Sequence, residues 1–183
     1  MKIKNTPLPG CFQILPDVIS DSRGRFIKTF HTKLFYQYGL RTDFVEEYYT
    51  TSYAGVLRGL HFQIPPHEHA KLVYCVFGEV LDAIVDLRID SPTYRQHAVI
   101  NLNAEEANMI YIDSGVAHGF YVQSNFAILV YNVTSIYSPE HDAGILWSSA
   151  DIPWPDTNPI ISPRDKAFVP LTHFKSPFRF IRR

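Results

Sequence analysis

The sequence predicts an all-β fold, a small antiparallel barrel or jelly roll. From Phe44 onward, β-like runs rich in alternating apolar, β-branched and aromatic residues follow one another. Turn clusters such as SPTYRQ, NAEEAN and DSGVAHG separate them at the regular spacing expected of a sandwich or barrel. Helical patterns of about 10 to 15 residues, which a parallel α/β fold needs between its strands, do not occur there. The predicted strands are residues 44–53, 56–63, 71–77, 79–88, 97–102, 109–113, 120–124 and 127–137.

Shorter elements flank this β region. CFQIL, residues 11–15, lies among prolines and is predicted as an edge strand, and RFIKTF, residues 25–30, as a strand after a turn at residues 21–24. HTKLFYQYG predicts one helix of about two turns that ends at Gly39. Beyond Pro139 the chain is irregular and Pro-rich, as expected of a segment laid over the barrel. Its basic end, residues 172–183, is predicted to be solvated or to dock a subunit, with a polyanion or membrane-surface role as the alternative.

Length and charge limit the function. The 183 residues, 46% hydrophobic and 19% charged, suit one domain, residues 1–183, with a sizeable core. Because 17 Lys and Arg balance 18 Asp and Glu, no overall positive field favours nucleic acid or an acidic membrane. Any anionic ligand must therefore be bound locally.

Cysteine usage and hydropathy predict a cytoplasmic protein. Cys11 and Cys75 lie far apart in apolar surroundings and form neither a C-x-x-C motif nor a disulfide framework, which fits a reducing compartment. The N-terminus lacks the apolar stretch of a signal peptide, and no apolar run approaches the roughly 18 residues of a membrane span. We expect a soluble protein that stays in the cell and does not bind membranes.

The densest group of polar side chains lies between Gly55 and Gly78, on two predicted strands joined by a Pro-Pro loop. Strict alternation would point His61 into the barrel and Arg58 outward. A bulge at Gly59 would let both side chains reach one cavity, since an isolated glycine in a strand often marks a bulge. The group comprises Arg58, His61, Gln63, His67, His69 and Lys71.

Three positions, Lys71 of this group and two later residues, combine a polar group with apolar surroundings. Lys71 shares a strand face with Val73 and Cys75, which points its ammonium into the barrel; the alternative is a lysine that snorkels at the strand end. His118 follows the turn DSGVA and is predicted at the barrel mouth as a hydrogen-bond donor, or as a solvated turn residue. Tyr131 places a phenol in the apolar run AILVYNV, so it is either functional or an ordinary core tyrosine.

The spacing Gly55-(x5)-His61-x-Gln63, then Lys71-(x6)-Gly78, then Gly115-x-x-His118 resembles the two-part pattern of the cupins, which are double-stranded β-helix barrels. The metal-binding form of that family has His and Glu where this chain has Gln63 and Lys71. An ammonium beside a divalent ion is unfavourable, so the resemblance implies a cupin without a metal. His67 and His69 alone are a weak zinc signal, because no acidic third ligand lies at a useful spacing.

The chain more specifically resembles the dTDP-4-dehydrorhamnose 3,5-epimerase family, over about residues 21 to 171. The resemblance implies a cupin jelly roll with short peripheral helices. The matching motifs are D-x-R-G-x-F at residues 21–26, G-V-L-R-G-L-H-F-Q at 55–63, K-L-V at 71–73, G-E-V-x-D-x-x-V-D-L-R-x-x-S-P-T at 78–93, A-H-G-F at 117–120, Y-N-V-T at 131–134 and S-P-R-D at 162–165.

This resemblance implies four catalytic residues. His61 would be the base that removes the proton next to the C4 ketone, and Asp165 would orient it. Tyr131 would return a proton on the opposite face of the sugar, while Lys71, with His118 nearby, would stabilise the enolate oxygen. Such a reaction needs a base, an acid and a cation where negative charge develops, and the ketone itself acidifies the C–H bond. No cofactor and no metal are implied.

The resemblance also implies a homodimer that binds a nucleotide-diphosphate sugar. Arg23, from the neighbouring subunit, and Arg58 would bind the pyrophosphate with their forked donors, and Tyr137 would stack on the base. The implied substrate-binding residues are Arg23, Phe26, Lys28, Glu46, Tyr48, Arg58, Gln63, His118, Tyr137 and Arg164.

Departures from the family pattern affect the substrate. Lys28 stands where Glu is usual, and Glu46, Tyr48 and Thr50 replace the Gln, Asn and Ser of Q-x-N-x-S. The predicted function is therefore a cofactor-independent epimerase of a nucleotide-linked 4-keto-6-deoxy sugar in deoxysugar biosynthesis, with the nucleotide, the hexose and the inverted carbon, C3, C5 or both, left open. Two alternatives remain: a 3,4-ketoisomerase, and a non-catalytic nucleotide-sugar-binding cupin.

Overall fold

The structure, a computed structural model, describes residues 1–182. The strands are β1 (Lys2–Asn5), β2 (Phe12–Leu15), β3 (Val18–Asp21), β4 (Gly24–Ile27), β5 (Glu46–Tyr53), β6 (Leu57–Gln63), β7 (Lys71–Phe77), β8 (Glu79–Asp86), β9 (His97–Asn103), β10 (Met109–Ile112), β11 (Val116–Val122), β12 (Phe126–Val133) and β13 (Asp142–Gly144). The α-helices are α1 (Thr32–Gln37) and α2 (Pro163–Lys166), and Trp147–Ser149 forms a 3-10 turn.

Two antiparallel sheets build the barrel. The six-stranded sheet has the order β1-β2-β10-β7-β12-β5, and the five-stranded sheet has the order β13-β6-β11-β8-β9. β3 and β4 form a separate two-stranded hairpin. This is the predicted all-β jelly roll with short peripheral helices, in the double-stranded β-helix arrangement of the cupins, and the fold-class prediction is confirmed.

Strand alternation decides which side chains enter the barrel. In β7, Val73 and Cys75 belong to the core between the sheets, whereas Leu72 packs on the outer side against the helix residue Phe35. In β12, buried and less buried residues alternate along the whole strand, and Tyr131 points inward. The period of two thus assigns inner positions to both β7 and β12.

Most predicted elements are present, but the prediction that residues 11–15 form an edge strand was wrong. β2 is not an edge strand, because it pairs with β1 on one side and with β10 on the other. The edge is β1, whose KIKN sequence gives no apolar signal. The helix, the turn before β4 and the left-handed Gly39, at φ +69°, agree with the prediction.

The segment after Pro139 is largely irregular, as predicted, and covers the five-stranded sheet. Ile145 and Phe178 pack with Leu60 in a second buried cluster on the outer face of that sheet. The basic end is therefore anchored rather than simply solvated: Phe180 N–H donates to Ile89 O at 2.9 Å, and Arg179 pairs with Asp90 at 2.8 Å. Arg183 lies outside the described residues.

Candidate active site

A cavity of about 670 Å³ opens between the two sheets. Eleven of the fourteen predicted site residues line it, and they come from both sheets, from the loop after β12 and from α2. These residues are Glu46, Tyr48, Arg58, His61, Gln63, Lys71, His118, Tyr131, Tyr137, Arg164 and Asp165.

The predicted bulge in β6 is confirmed. The pairing with β11 shifts register where His61 faces His118 and Arg58 faces Phe120. Gly59 lies at the shift with a φ of +145°, and a Cβ there would come within 2.6 Å of the Gly119 Cα. Only glycine fits this backbone, which brings Arg58 and His61 to one cavity.

His61 is paired with a carboxylate, as the resemblance implied. Its Nε2 lies 2.9 Å from Asp165 Oδ1, and the Gly59 N–H donates to Asp165 Oδ2 at 3.2 Å. Asp165 lies in α2, where its own N–H donates to the Ser162 side chain at 3.1 Å. Burial lowers the pKa of His61 below its usual value, although Asp165 opposes that shift, so the imidazole is neutral at neutral pH.

Lys71 points into the barrel rather than snorkelling. It is buried, and its Nζ donates to the His61 carbonyl oxygen at 3.1 Å. Burial lowers the pKa of Lys71 to about 8, while the carboxylates of Asp142 and Asp82 act to raise it. The ammonium is thus mainly protonated at neutral pH, inside a cavity with apolar walls.

His118 was placed wrongly by the sequence. It lies inside β11, not in the turn at the barrel mouth, and it is buried. Its Nε2 lies 2.6 Å from Oδ2 of Asp82, a second buried acid that the sequence analysis did not select. The signal was present, since Asp82 interrupts the apolar run of β8 at an inward position. Burial raises the pKa of Asp82, and His118 partly offsets this.

Tyr131 lies in the core between the sheets and also lines the cavity. Its ring stacks on that of Tyr48, with centroids 4.8 Å apart and planes 12° apart. The His118 ring meets it from another direction at 6.0 Å and 66°. Burial raises the pKa of Tyr131 well above the usual value, and the neighbouring Thr50 side chain acts against this shift. The phenol therefore keeps its proton.

Gln63 lines the cavity, but its amide is used by the protein itself. Oε1 accepts the Ser138 N–H at 2.6 Å, and Nε2 donates to the carbonyls of His67 and Ile136 at 2.9 and 3.2 Å. We therefore interpret Gln63 as a residue that supports the loop carrying Tyr137, rather than as the direct substrate contact that was predicted. Nε2 also lies 3.1 Å from Nδ1 of His69, a cavity residue that was not among the predicted substrate-binding residues.

The cavity rim is a network of charged groups. The Tyr137 N–H donates to Glu46 Oε2 at 2.8 Å, and the Tyr137 hydroxyl lies 3.4 Å from Asp142 Oδ2. Arg164 donates to the same Asp142 oxygen at 2.6 Å. Asp142 was not selected from the sequence, because a single acid in a Pro-rich segment gives no signal.

Arg58 enters the cavity from β6, and its donors are held by β5. Nε donates to the Ser52 hydroxyl at 3.0 Å, and Nη2 donates to the Thr51 carbonyl at 3.3 Å. These two bonds orient the guanidinium along the cavity wall and leave further donors for a ligand.

Arg23, Phe26 and Lys28 do not line this cavity. They belong to the β3–β4 hairpin and the chain just after it, where the Arg23 side chain is exposed and pairs with Asp21 at 2.6 Å. Phe26 is 60% exposed, which is high for a phenylalanine. Within one chain the hairpin does not complete the site.

Two findings concern metals and membranes. Among residues 1–182, no group of three or more His, Cys, Asp or Glu side chains is arranged to hold a metal ion. His67 instead packs against the His141 ring at 4.4 Å. The helices of that described part are all too short or too polar to cross a membrane.

The family model described as dTDP-4-dehydrorhamnose 3,5-epimerase matches residues 5–173. The chain belongs to this family. Its members are epimerases, so the chain is an isomerase that inverts a sugar carbon, and the two alternatives gain no support.

Relatives agree over nearly the whole length. A dTDP-4-dehydrorhamnose 3,5-epimerase of Shigella flexneri is 41% identical over 180 residues, which is 95% of this chain and 99% of that protein. A dTDP-4-dehydrorhamnose 3-epimerase of Streptomyces niveus is 34% identical over 91% of this chain and 82% of its own. A crystal structure of the Legionella pneumophila epimerase RmlC in complex with dTDP-4-keto-L-rhamnose matches with a TM-score of 0.93 and 34% identity, covering 99% of both chains.

Proposed function

We propose that the cavity binds a dTDP-linked 4-keto-6-deoxyhexose and inverts carbons next to its ketone by proton removal and return. The observation that carries this proposal is that His61 and Tyr131, from different sheets, line the same cavity with Lys71. Inversion requires a base and an acid on opposite faces of the sugar, and a cation for the enolate oxygen.

His61 is the base in this proposal. Because its Nε2 is buried against Asp165 Oδ1 at 2.9 Å, Nδ1 is the nitrogen left to take the proton. The imidazole is neutral before the reaction, owing to burial, and the adjacent carboxylate stabilises the imidazolium that forms. Asp165 itself is held by Gly59 N–H and α2, so it fixes the ring orientation.

Lys71 stabilises the enolate oxygen, and His118 assists from β11. The ammonium costs desolvation energy in the apolar cavity, and a developing oxyanion restores a favourable partner. The reaction needs no organic cofactor, because the C4 ketone already acidifies the neighbouring C–H bonds. Lys71 and the fully engaged Gln63 amide also make these two positions unsuitable as metal ligands.

Tyr131 returns the proton on the other face. Its phenol is protonated at neutral pH because burial raises its pKa, and it therefore acts as an acid without a prior proton transfer. A tyrosine that served only the hydrophobic core would not need to line a cavity, whereas Tyr131 lines this one.

Arg58 binds the diphosphate, with Tyr137 and the rim residues Glu46 and Arg164 near the nucleotide end. Arg23, Phe26 and Lys28 act in the cavity of a second subunit, since they are exposed and lie outside their own cavity. The working form is thus a homodimer, which we place in the cytoplasm where nucleotide sugars are made.

The test is incubation of the purified protein with dTDP-linked and other nucleotide-linked 4-keto-6-deoxy sugars in deuterium oxide. Deuterium incorporation and inversion at C3 and C5 are followed by NMR. We expect exchange at C3, C5 or both with inversion. Movement of the ketone to C3 without inversion, or binding without exchange, would overturn the proposal. A C3-only result would match the activity named for the Streptomyces niveus relative.

A further inference from the structure

We propose that Tyr48 is a positioning residue that holds the Tyr131 phenol in the direction needed for proton return. The inference rests on the role proposed above for Tyr131. It concerns a position at which this chain departs from the Q-x-N-x-S pattern described above, with an aromatic ring in the place of Asn.

Register brings the two tyrosines together. β5 and β12 pair antiparallel with Tyr48 directly opposite Tyr131. Side chains at opposed positions lie on the same face of a sheet, within contact distance. Here their rings are nearly parallel, 12° apart, at a centroid distance of 4.8 Å.

The Tyr131 ring is thereby restrained from two directions. Tyr48 covers one face, and the His118 ring approaches at 66° and 6.0 Å. His118 cannot turn freely, because its Nε2 is bound to Asp82 at 2.6 Å. Tyr131 is only 5% exposed and Tyr48 is 39% exposed, so Tyr48 is the more exposed ring of the stacked pair that lines the cavity.

Restraint of this kind matters for a proton donor. A phenol must present its O–H within hydrogen-bond reach of the carbanion, and a displacement of about 1 Å can cost 100-fold in rate. A ring free to tilt would still pack in the core but would return fewer protons. Enolate that is not protonated by Tyr131 regains a deuteron from the His61 side, which gives exchange without inversion.

The Tyr48 hydroxyl is not needed for this role. Burial raises the pKa of Tyr48 to about 12, with the carboxylates of Glu46 and Asp142 adding to the shift, so it stays neutral and unsuited to compete as a base. The stacked ring is the functional part. Phenylalanine should therefore replace it, whereas leucine or threonine should not.

The experiment measures inversion and exchange on the same sample by NMR for Tyr48→Phe, Tyr48→Leu and Tyr48→Thr. We expect the ratio of inversion to exchange to fall about tenfold or more in the Leu and Thr variants, because donor geometry sets that ratio, and to stay near the wild-type value in Tyr48→Phe. Tyr49→Leu is the matched control: Tyr49 is the next residue of β5, is 69% exposed and does not line the cavity. Thermal melts identify any variant that is poorly folded.

A double variant separates this inference from the proposed function. If Tyr48 acts through Tyr131, adding Tyr48→Leu to Tyr131→Phe causes no further loss in the ratio. A further loss, a wild-type ratio in both Leu and Thr variants, or a Phe variant as impaired as the Leu variant would overturn the inference. If Tyr131→Phe alone uncouples exchange from inversion while Tyr48→Leu does not, only the inference is wrong. If Tyr131→Phe leaves them coupled, the proposed donor is wrong and the inference falls with it.

Discussion

Two His–Asp pairs lie at one cavity, which His61, Asp165 and His118 line, and they differ in burial and in hydrogen bonding. His61 and Asp165 join β6 to α2, and the histidine side chain is 29% exposed. His118 and Asp82 join β11 to β8, with side-chain exposures of 4% and 0%. The Nε2 to carboxylate distances are 2.9 Å and 2.6 Å.

Burial and hydrogen bonding separate their charge states. Burial acts to raise the pKa of Asp165, but His61, the Gly59 N–H and Ser162 outweigh it, so the pKa lies below its usual value. Asp82 has fewer partners: its Oδ1 is buried without a hydrogen bond within residues 1–182, and its pKa is raised. The same two residue types thus form two different pairs. In one, the histidine is partly exposed and the pKa of the carboxyl group is lowered by its partners; in the other, both residues are buried and the pKa of the carboxyl group is raised. We expect variants of the first pair to affect mainly the chemistry, and variants of the second pair to affect stability in addition to the enolate stabilisation assigned to His118.

The largest effect is expected for the accessible pair. His61→Ala removes the base, so solvent exchange at both C3 and C5 should fall by about 10² to 10⁴-fold, measured by deuterium incorporation. Stability should change little, because Asp165 keeps the Gly59 N–H and the nearby Arg164. His173→Ala, at an exposed position outside the cavity, is the control. Wild-type exchange in His61→Ala would mean that the base is another group.

The buried pair should respond in stability. His118→Ala leaves the Asp82 carboxylate buried without its partner, which costs about 3 to 5 kcal/mol of unfolding free energy at neutral pH, measured by urea denaturation. The folded variant then binds the Asp82 proton more strongly than the unfolded chain does. Its unfolding free energy should therefore fall as pH rises above the unfolded pKa of Asp.

The control for this prediction is the double variant His118→Ala with Asp82→Ala. Removing both groups leaves no unpaired carboxylate, so part of the lost stability should return. A double variant no more stable than His118→Ala would show that lost packing, rather than the buried charge, explains the effect.

A smaller loss of activity is expected when only the orientation of His61 is weakened. Asp165→Asn keeps the shape of the pair but not its charge, so kcat should fall by roughly 10- to 100-fold, the range found for carboxylates that orient metal-ligating histidines, with a smaller change in KM. Steady-state kinetics by NMR would measure both. A drop as large as in His61→Ala would indicate that Asp165 itself takes part in the chemistry.

The mildest effect is the pH dependence of the wild type. The acidic limb of kcat/KM should lie below the usual histidine pKa, because burial lowers the pKa of His61. The basic limb should begin near pH 8, where Lys71 loses its proton, and fall about tenfold per pH unit. Lys71→Arg should lose the basic limb at reduced activity, since guanidinium stays charged. An unchanged basic limb in that variant would assign it to another group.

Much of the site was predictable because strand alternation and one glycine, Gly59, determine which side chains face the cavity. Alternation with Val73 and Cys75 assigned Lys71 to the inside, and Gly59 indicated the bulge that brings Arg58 beside His61. Position along β11 was not predictable for His118, because DSGVAHG contains turn residues and the strand begins only at Val116. It was also not predictable that β2 is flanked on both sides, because its outer neighbour β1 has a polar sequence without a strand period.

The sequence by itself determined the all-β fold, the bulged strand and the residue types of the chemistry, since these depend on local periodicity, backbone freedom and the motifs shared with a family. Only the tertiary structure decided that Tyr48 stacks on Tyr131, that Asp82 holds His118 and that Asp142 closes the rim. Each of these contacts joins strands or segments whose register is set by long-range pairing. No local pattern encodes that pairing, because it depends on how the two sheets and the C-terminal segment close around the cavity.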